Sequence, residues 1–454
     1  MKEAYELFHE GTLALADAEQ QGLRIDLDYV EKTYKELSDR IDKLEYEFKD
    51  SKFYKHWRHF SQGNININSN TQLANFLFKG KKIKPLKYTD KGTPATDEEH
   101  LELLDIPELN ILIQIRKLKK MRDTYLLAYT REQVDGILHP NFHLHVVTTY
   151  RSSSSNPNFQ NIPKRDKEAM NIVRRAIYPR IGHQLMEVDF SGLEVSIACC
   201  YHKDPNMIKY LTSDKDMHGD MAIQIFKLDT FDKQKDKYLR YCAKNGFVFA
   251  QFYGDYYKNN AIGICKLVEL PQTKWNGTEG VKMSNGNTIS SHLIKKGIGG
   301  FDRFVEHLKA IEDDFWNNRF RVYGAYRKKE WNRYIRQGFL ESYTGFRFTA
   351  KMERNKAYNY PTQGAAFHCL LWSFIKLNNI LKKRNMQTNL VGQIHDAIVL
   401  DVYPPELETI SKLIKKILTK DLQNTWKWIN VSLSVEADLG GVNESWADLK
   451  PYKL

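Results

Sequence analysis

An α+β fold is predicted for this chain by two kinds of segment that alternate along it. Long stretches carry apolar residues at intervals of three and four, which is the spacing of an amphipathic helix. Two shorter apolar runs, 185–189 and 390–402, have the composition of strands. Each of them delivers one aspartate to its edge, Asp189 in the first and Asp396 in the second. We therefore expect a largely helical molecule organised around strands that carry these two carboxylates.

The N-terminal third is predicted to be helical and basic. Asp28 and Glu31 resemble a capping box, and apolar residues then recur at spacings of four and three, which predicts one long helix with the stripe Val30, Tyr34, Leu37, Ile41, Leu44 and Phe48. A second helix is predicted over 109–129, with the basic run Arg116, Lys117, Lys119, Lys120 and Arg122. A Gly-, Asn- and Lys-rich connector, 63–99, separates the two helices. Such a basic run is more often a solvated helix face than a binding surface.

The two aspartates are candidates for a metal site. In the second run, His395 and Asp396 interrupt two apolar stretches, which predicts a hairpin with the aspartate at its tip. If the two strands are neighbours, the carboxylates converge. Converged carboxylates that leave room for water and substrate phosphates are what Mg²⁺ prefers in phosphoryl-transfer sites. An aspartate at a strand end is also a common turn or cap residue, so neither one alone establishes such a site.

Length and charge limit the classes of protein to consider. With 454 residues the chain is too long for a single core, and two to four subdomains are expected. The net charge of +12 makes a polyanionic partner plausible without proving one. No membrane span or signal-peptide pattern is found, so we expect a soluble protein that is not secreted. Five cysteines without paired spacing indicate reduced thiols rather than disulfides or a zinc site.

Two short motifs resemble a known family. Asp189–Glu194 (DFSGLE) and Gln393–Asp396 (QIHD) are similar to the first and third polymerase motifs of the family A DNA polymerases, the bacterial DNA polymerase I type, which also has phage and organellar members. The resemblance implies a right-hand fold with a helical thumb at 1–147, a palm at 148–205 and 346–454 built on an antiparallel sheet, and helical fingers at 206–345. Nothing precedes the predicted thumb, so we do not expect a proofreading 3′–5′ exonuclease domain.

The resemblance implies contacts between a polar loop and primer–template DNA. Thr148–Arg165 (TTYRSSSSNPNFQNIPKR) is similar to the family segment that lies at the minor groove. Minor-groove acceptors hardly depend on sequence, so Arg151 and Gln160 are expected to test base-pair geometry there. Arg165 is expected near the primer strand. From composition alone, the same stretch would be an ordinary surface loop.

Three further residues are expected to contact DNA in a protein of this family. Asn359 and Gln363 lie four residues apart near a predicted helix start, so both amides can face one groove. Packing of these amides in the core is the alternative. His395 is expected beside the primer end, next to Asp396.

The family's nucleotide-binding residues match a helical segment and a histidine before it. His218 stands at a predicted helix start, where an anion is favoured. Arg240 and Lys244 are four residues apart, and like charges at that spacing repel unless an anion lies between them. A triphosphate fits this pair, with a solvated basic helix as the alternative. Phe249 is expected to pack on the nucleotide, and Tyr253 to stack beside the template base.

The nucleotide-binding helix departs from the family pattern by one residue. In the family the aromatic residue follows the lysine by four positions, whereas Phe249 follows Lys244 by five. Counting from Lys244 would select Val248 and Phe252 instead. We prefer Phe249 and Tyr253, because their spacing to each other is intact and a helix can absorb one residue as a π-bulge.

The expected metal site uses few ligands. The resemblance implies that Asp189, Asp396 and the carbonyl of Phe190 hold two Mg²⁺ ions, for which Mn²⁺ can substitute. Where the family frequently has a glutamate after the second aspartate, this chain has Ala397, so no third carboxylate is expected there.

The reaction implied is template-directed addition of a deoxynucleoside monophosphate to a primer 3′-hydroxyl, in DNA replication or repair. Glu194 is expected to exclude a 2′-hydroxyl, although Gly192 stands where the family often has glutamine. Glu194 and Phe249 argue against an RNA polymerase or reverse transcriptase, and the two aspartates argue against a catalytically silent DNA-binding subunit. The expected partners are primer–template DNA, dNTPs and separate exonuclease or replication proteins. The expected location is the cytoplasm of a bacterial or phage-infected cell, or an organellar matrix.

Overall fold

The computed structural model describes residues 2–85, 93–102, 104–164, 166–213 and 215–454. Residues 86–92 of the predicted connector lie outside these ranges, as does Arg165. Within these ranges helices dominate, and the strands form four antiparallel sheets, the largest of which has five strands. In the described part of the chain, no helix is both long enough and apolar enough to cross a membrane. The predicted α+β class is confirmed.

The helices of the N-terminal region are α1 (Lys2–Gln21), α2 (Leu27–Asp50), α3 (Lys52–Phe60), α4 (Asn70–Ala74), α5 (Glu98–Glu102), α6 (Pro107–Lys119) and α7 (Leu127–Glu132). The long predicted helix is α2, but the predicted cap is wrong. Asp26, not Asp28, is the N-cap, and its side chain accepts a hydrogen bond from the Tyr29 amide at 2.9 Å. The second predicted helix is α6 continued through a π-helical turn, Lys120–Leu126, into α7.

The basic run of the second helix is mostly engaged inside the protein. Four of its side chains contact a carboxylate or a backbone carbonyl: Arg116 with Ile67, Lys117 with Asp166, Lys119 with Glu45, and Arg122 with Asp123. Arg116, for example, donates to the Ile67 carbonyl from two of its nitrogens, at 2.8 and 3.1 Å. Arg116, Lys117 and Lys119 therefore tie the helix to other segments. This differs from the solvated helix face that the charge pattern favoured.

The strands are β1 (Leu23–Ile25), β2 (Gln133–Val134), β3 (Ile137–Leu138), β4 (Asn141–His143), β5 (Ser153–Ser155), β6 (Ile177–Tyr178), β7 (Gln184–Phe190), β8 (Leu340–Glu341), β9 (Arg347–Phe348), β10 (Asn389–Ile394), β11 (Ala397–Val402), β12 (Val435–Leu439) and β13 (Lys450–Tyr452). The five-stranded sheet has the order β10-β11-β7-β12-β13. Both predicted strand runs therefore belong to it: 185–189 lies in β7, and 390–402 forms β10 and β11.

The register of this central sheet brings the two aspartates together. Asp189 pairs with Ala397 on one side and with Glu436 on the other. Ile394 pairs with Ala397, so His395 and Asp396 are the two turn residues of the β10–β11 hairpin. His395 has φ of 51°, the left-handed backbone that such a two-residue turn requires. The predicted hairpin with the aspartate at its tip is confirmed. The two strand runs are neighbours, which is the condition under which the carboxylates were expected to converge.

The remaining helices are α8 (Lys167–Arg174), α9 (Leu193–His202), α10 (Pro205–Thr212), α11 (Met217–Phe226), α12 (Lys237–Ala243), α13 (Phe249–Phe252), α14 (Tyr257–Leu267), α15 (Ile289–Lys295), α16 (Phe301–Asp314), α17 (Arg321–Gln337), α18 (Arg354–Lys383), α19 (Leu407–Lys416) and α20 (Leu422–Thr425). A π-helical turn, Lys244–Val248, joins α12 to α13. It stands between Lys244 and Phe249, so the predicted absorption of the extra residue as a π-bulge is confirmed.

The long helix α18 packs against the central sheet and against α1. Its N-terminal half passes very close to the polar loop that was predicted to contact DNA. A Cβ atom at Gly364 would lie 2.7 Å from the carbonyl oxygen of Thr149, so glycine permits this approach. The close packing places Gln363, the neighbour of Gly364, beside that loop.

Candidate active site

A cleft of about 840 Å³ opens where β7 ends and the β10–β11 hairpin turns. Nine of the residues predicted to act in the site line it: Gln160, Asp189, Phe190, Glu194, Phe249, Tyr253, Asn359, His395 and Asp396. A smaller cavity of about 310 Å³ shares Gln160 and His395 with the cleft and adds Arg151 and Gln363. The structure therefore brings most of the predicted residues to one place, although they come from segments up to 245 residues apart in the chain.

The two aspartates meet at the floor of the cleft. Burial raises the pKa of Asp189 above its ordinary value, and the negative charge of Asp396 also raises it, while the ammonium of Lys164 acts in the opposite direction. Asp396 lies 3.7 Å from a guanidinium nitrogen of Arg151. The amide of Phe190 donates to the carbonyl of Asp396 at 3.4 Å, which ties the strand end to the hairpin tip. Two neighbouring carboxylates repel each other, and a cation bound between them would reduce this repulsion.

The donor set fits a divalent metal with few protein ligands. Carboxylate and carbonyl oxygens are the ligands that Mg²⁺ prefers, and it keeps several positions for water and phosphate. Among the described residues, no group of three or more His, Cys, Asp and Glu side chains is arranged to hold a metal ion. Ala397, the cross-strand neighbour of Asp189, contributes no ligand. The site can therefore hold a metal through two carboxylates, with water or substrate oxygens as the remaining ligands.

Glu194 and Tyr253 form the wall next to the aspartates. The tyrosine hydroxyl donates to the Glu194 carboxylate at 2.9 Å, and Asn359 donates to the Tyr253 carbonyl at 3.4 Å. Gly192 precedes α9 with φ of 65°, a left-handed conformation that lets the chain turn directly from β7 into the helix that carries Glu194. Burial raises the pKa of Glu194, although the hydrogen bond from Tyr253 opposes this shift.

The predicted nucleotide-binding residues of the helical region form a second cluster. Lys244 lies 5.1 Å from the centre of the Phe249 ring, and His218 contacts the same ring edge-on with 5.8 Å between centroids. Arg240 donates to Asp216 at 2.6 Å. Burial lowers the pKa of His218 to about 4, and the positive charges of Arg240 and Lys244 contribute to the shift. This cluster has an excess of positive charge, which an anion would offset.

Gln160 lies in an internal network rather than on an open surface. Its amide donates to Ser152 at 2.6 Å and to the Gln393 side chain at 2.8 Å, and it is only 8% exposed. Gln393 in turn donates to the carbonyl of His395. Both donor hydrogens of Gln160 are therefore directed to protein groups. In this arrangement Gln160 supports the hairpin tip, while Arg151, Gln363 and His395 line the adjoining cavity.

Sequence reasoning gave no role to two charged residues beside Asp189. Lys164 lies 3.4 Å from Oδ2 of Asp189 and 2.8 Å from Oε1 of Glu187. Glu187 is two residues before Asp189 on β7, so both side chains are on the same face of the sheet. A glutamate inside an otherwise apolar strand was the signal that could have identified this pair.

Comparison with known proteins assigns the chain to a family. The family model described as "DNA polymerase family A" matches residues 27–263 and 326–448. A DNA polymerase I of Aquifex aeolicus is 30% identical over 379 residues, which are 83% of this chain and 57% of that protein. A DNA polymerase I of Caldicellulosiruptor bescii is 26% identical over 433 residues, 94% of this chain and 45% of that protein. This chain thus spans about half the length of these curated relatives.

A solved structure has the same fold. The polymerase domain of Pol1 from M. smegmatis, in complex with DNA primer-template and dNTP, superposes with a TM-score of 0.73 at 21% sequence identity. The match covers 97% of this chain and 70% of that one. The chain belongs to DNA polymerase family A, and its fold is the right-hand α+β polymerase fold. The resemblance noted from the two short motifs is confirmed.

Proposed function

We propose that this chain is a DNA-directed DNA polymerase that adds a deoxynucleoside monophosphate to a primer 3′-hydroxyl on a DNA template. The observation that carries the proposal is the meeting of Asp189 and Asp396 at a cleft that Phe249 and Tyr253 also line. Membership of DNA polymerase family A supports the same reaction.

The metal-binding residues in this proposal are Asp189, Asp396 and the carbonyl of Phe190. Two bound Mg²⁺ ions would supply activation of the 3′-hydroxyl and charge stabilisation of the triphosphate. The two aspartates bring negative charge to one point, where burial first and then the charge of Asp396 raise the pKa of Asp189.

The helical cluster would bind the triphosphate. Arg240 offers a planar fork of donors and Lys244 a point charge, which together suit phosphate oxygens. Arg240 would exchange its contact with Asp216 for the triphosphate. His218 is a neutral donor in this environment, since its pKa lies at about 4. Charge that develops on the departing pyrophosphate would then face preorganised donors.

Deoxy selection is assigned to Glu194, and base and template contacts to Phe249 and Tyr253. The hydrogen bond between Tyr253 and Glu194 holds the carboxylate in the wall of the cleft, where it would occupy the space of a 2′-hydroxyl. For the duplex, we assign minor-groove and primer contacts to Arg151, Asn359, Gln363 and His395, and primer contact to Arg165. Gln160 is assigned a supporting role beneath the hairpin tip, because its donors are already used.

The regional assignment that accompanies this function is a thumb at 1–147, a palm at 148–205 and 346–454, and fingers at 206–345. All five strands of the central sheet fall within 148–205 and 346–454, and the π-helical turn falls within 206–345, which supports this division.

Primer extension on a defined DNA template tests the proposal. The unmodified chain is compared with Asp396→Ala and with a control, Asp135→Asn, which removes an exposed turn carboxylate that does not line the cleft. Extension with dNTPs but not rNTPs, lost in Asp396→Ala and retained in the control, is expected. DNA binding by Asp396→Ala, measured by fluorescence anisotropy, should persist. Binding of primer–template without extension by the unmodified chain would refute the assigned activity, and extension with rNTPs would refute the assigned selectivity.

A further inference from the structure

A buried network lies directly behind the first catalytic aspartate. Glu187 is only 3% exposed, and one of its oxygens accepts from Arg174 at 2.9 Å and from the Trp446 indole at 3.2 Å. The Arg174 guanidinium also lies over the Trp446 ring, 4.4 Å from its centre. The Arg174–Glu187 pair is therefore a buried ion pair held in place beneath the cleft.

Lys164 connects this buried ion pair to Asp189 in the cleft. Its ammonium donates to the second oxygen of Glu187 at 2.8 Å and to Oδ2 of Asp189 at 3.4 Å. Glu187 also has a buried cation in Arg174, and it shares the Lys164 ammonium with Asp189, the more distant of the two carboxylates. The Lys164 side chain is 49% exposed, which places it at the border between the protein interior and the cleft. One oxygen of Asp189 thus faces an ammonium supplied by the protein.

We propose that Lys164 is a positioning residue for Asp189, and that its ammonium, anchored by Glu187, weakens and orders divalent-cation binding at the active site. The inference rests on the proposed function insofar as Asp189 is taken to be a metal ligand. An ammonium beside one carboxylate oxygen directs that carboxylate and repels a cation that approaches it. Ala397 supplies no third carboxylate, so the proposed acidic ligands are only two. The positive charge of Lys164 therefore offsets a large share of the negative charge that attracts the metal. The lysine therefore sets the concentration of metal at which the site fills.

The alternative is that Lys164 only neutralises Glu187 or only contacts the primer strand. These roles differ in one measurable quantity, the affinity of the free protein for a divalent cation. Binding of Mn²⁺ is measured by the loss of the free-ion signal in electron paramagnetic resonance, without DNA or nucleotide. The variants are Lys164→Met, which removes the charge, and Lys164→Arg, which keeps it. Lys167→Met is the matched control, because it removes an exposed lysine three residues away.

We expect Lys164→Met to bind Mn²⁺ about tenfold more tightly than the unmodified chain, since a unit charge a few ångströms from a partly exposed site has an effect of this order. Lys164→Arg and Lys167→Met should stay within about twofold, because neither changes the charge beside Asp189. The Mg²⁺ concentration for half-maximal primer extension should fall in parallel in Lys164→Met. Unchanged or weaker Mn²⁺ binding in Lys164→Met overturns the inference, as does a loss of DNA affinity as its sole effect.

Two measurements keep the result decisive. Circular dichroism melting verifies that Lys164→Met is folded, and Lys164→Gln, a polar substitute with the same loss of charge, replaces it if it is not. Primer extension is scored separately from Mn²⁺ binding. A chain that shows the expected Mn²⁺ shifts but never extends a primer would refute the proposed function and leave the role of Lys164 at Asp189 standing. A chain that extends primers with no Mn²⁺ shift would do the reverse.

Discussion

The end of β7 around Asp189 and the cluster of His218, Arg240 and Lys244 carry opposite charge imbalances. At the end of β7, burial and a second carboxylate raise the pKa of Asp189, so the free protein disfavours the negative charge of this aspartate. On the helix, burial together with Arg240 and Lys244 lowers the pKa of His218, so a further positive charge is disfavoured. Each region is thus electrostatically incomplete in the opposite sense. A metal–triphosphate complex would bring a cation to the two carboxylates and an anion to the basic cluster. It would therefore reduce both imbalances at once.

The largest effect is expected on the sheet side. Asp189→Asn removes one of only two acidic ligands, so primer extension should fall by about 10³-fold or more, while DNA affinity changes little. Single-turnover extension and anisotropy measure the two quantities. Asp135→Asn, an exposed substitution of the same kind, is the control and should keep full activity. Weaker DNA binding with an unchanged rate of extension would show that Asp189 contacts the duplex and is not a metal ligand.

A smaller effect is expected on the helix side. Lys244→Met removes a point charge from the cluster while Arg240 remains, so kcat/KM for dNTP should fall by about 10²-fold. Lys258→Met, which removes an exposed lysine of α14, should leave it unchanged. Steady-state extension at varied dNTP concentration checks both variants. Equal losses in both would mean that general electrostatics, rather than the cluster, determines nucleotide use.

The imbalance on the helix predicts a dependence of stability on pH. The pKa of His218 is about 4 in the folded chain against an ordinary 6.5, so below pH 6.5 the unfolded chain takes up a proton that the folded chain does not. Stability should therefore fall as the pH decreases from 6.5 towards 4, by up to about 1 kcal/mol per pH unit from this residue. Urea unfolding at pH 7.5, 6.5 and 5.5 should show a shallower decline for His218→Gln. Parallel declines in both proteins would exclude this residue as the source.

The smallest effect is expected where the two regions touch. Tyr253→Phe removes the hydroxyl that donates to Glu194 at 2.9 Å but keeps the ring that would stack on the template base. Activity with dNTPs should change by less than about fivefold, since a neutral-to-charged hydrogen bond at a half-exposed site contributes little. Discrimination against rNTPs should decline more than activity, because Glu194 loses its restraint. Competition between dNTP and rNTP in one reaction measures the ratio of their incorporation. An unchanged ratio would show that the Tyr253 hydroxyl has no part in sugar selection.

The sequence predicted the parts of the site that depend on local pattern. The hairpin at Asp396 followed from two apolar runs with a polar break, and β7 followed from one run that ended at Asp189. The π-helical turn followed from a one-residue excess between Lys244 and Phe249. In each case the signal lay within about a dozen neighbouring residues, where periodicity and turn chemistry act.

Contacts between distant segments were beyond that reach. Gln160 has its donors taken by Ser152 and by Gln393, and the latter is 233 residues away in the chain. Lys164 finds Glu187 and Asp189 only after the loop folds over β7. No periodicity distinguishes a side chain that is free from one that a remote segment engages. The cap at Asp26 was missed for a simpler reason, because two aspartates stand two residues apart and either can begin a helix.

The pairing of β7 with β11 has a consequence for biosynthesis. A ribosome makes about 5–20 residues per second, so Asp189 leaves it roughly 10–40 s before the hairpin that completes its sheet. During that interval β7 lacks its partners on both sides, since β11 and β12 also come later in the chain. A nascent chain therefore exposes an apolar strand edge of the kind that chaperones shield. The pair of aspartates is therefore assembled only after β10 and β11 have been made, because Asp396 reaches Asp189 through the pairing of β11 with β7.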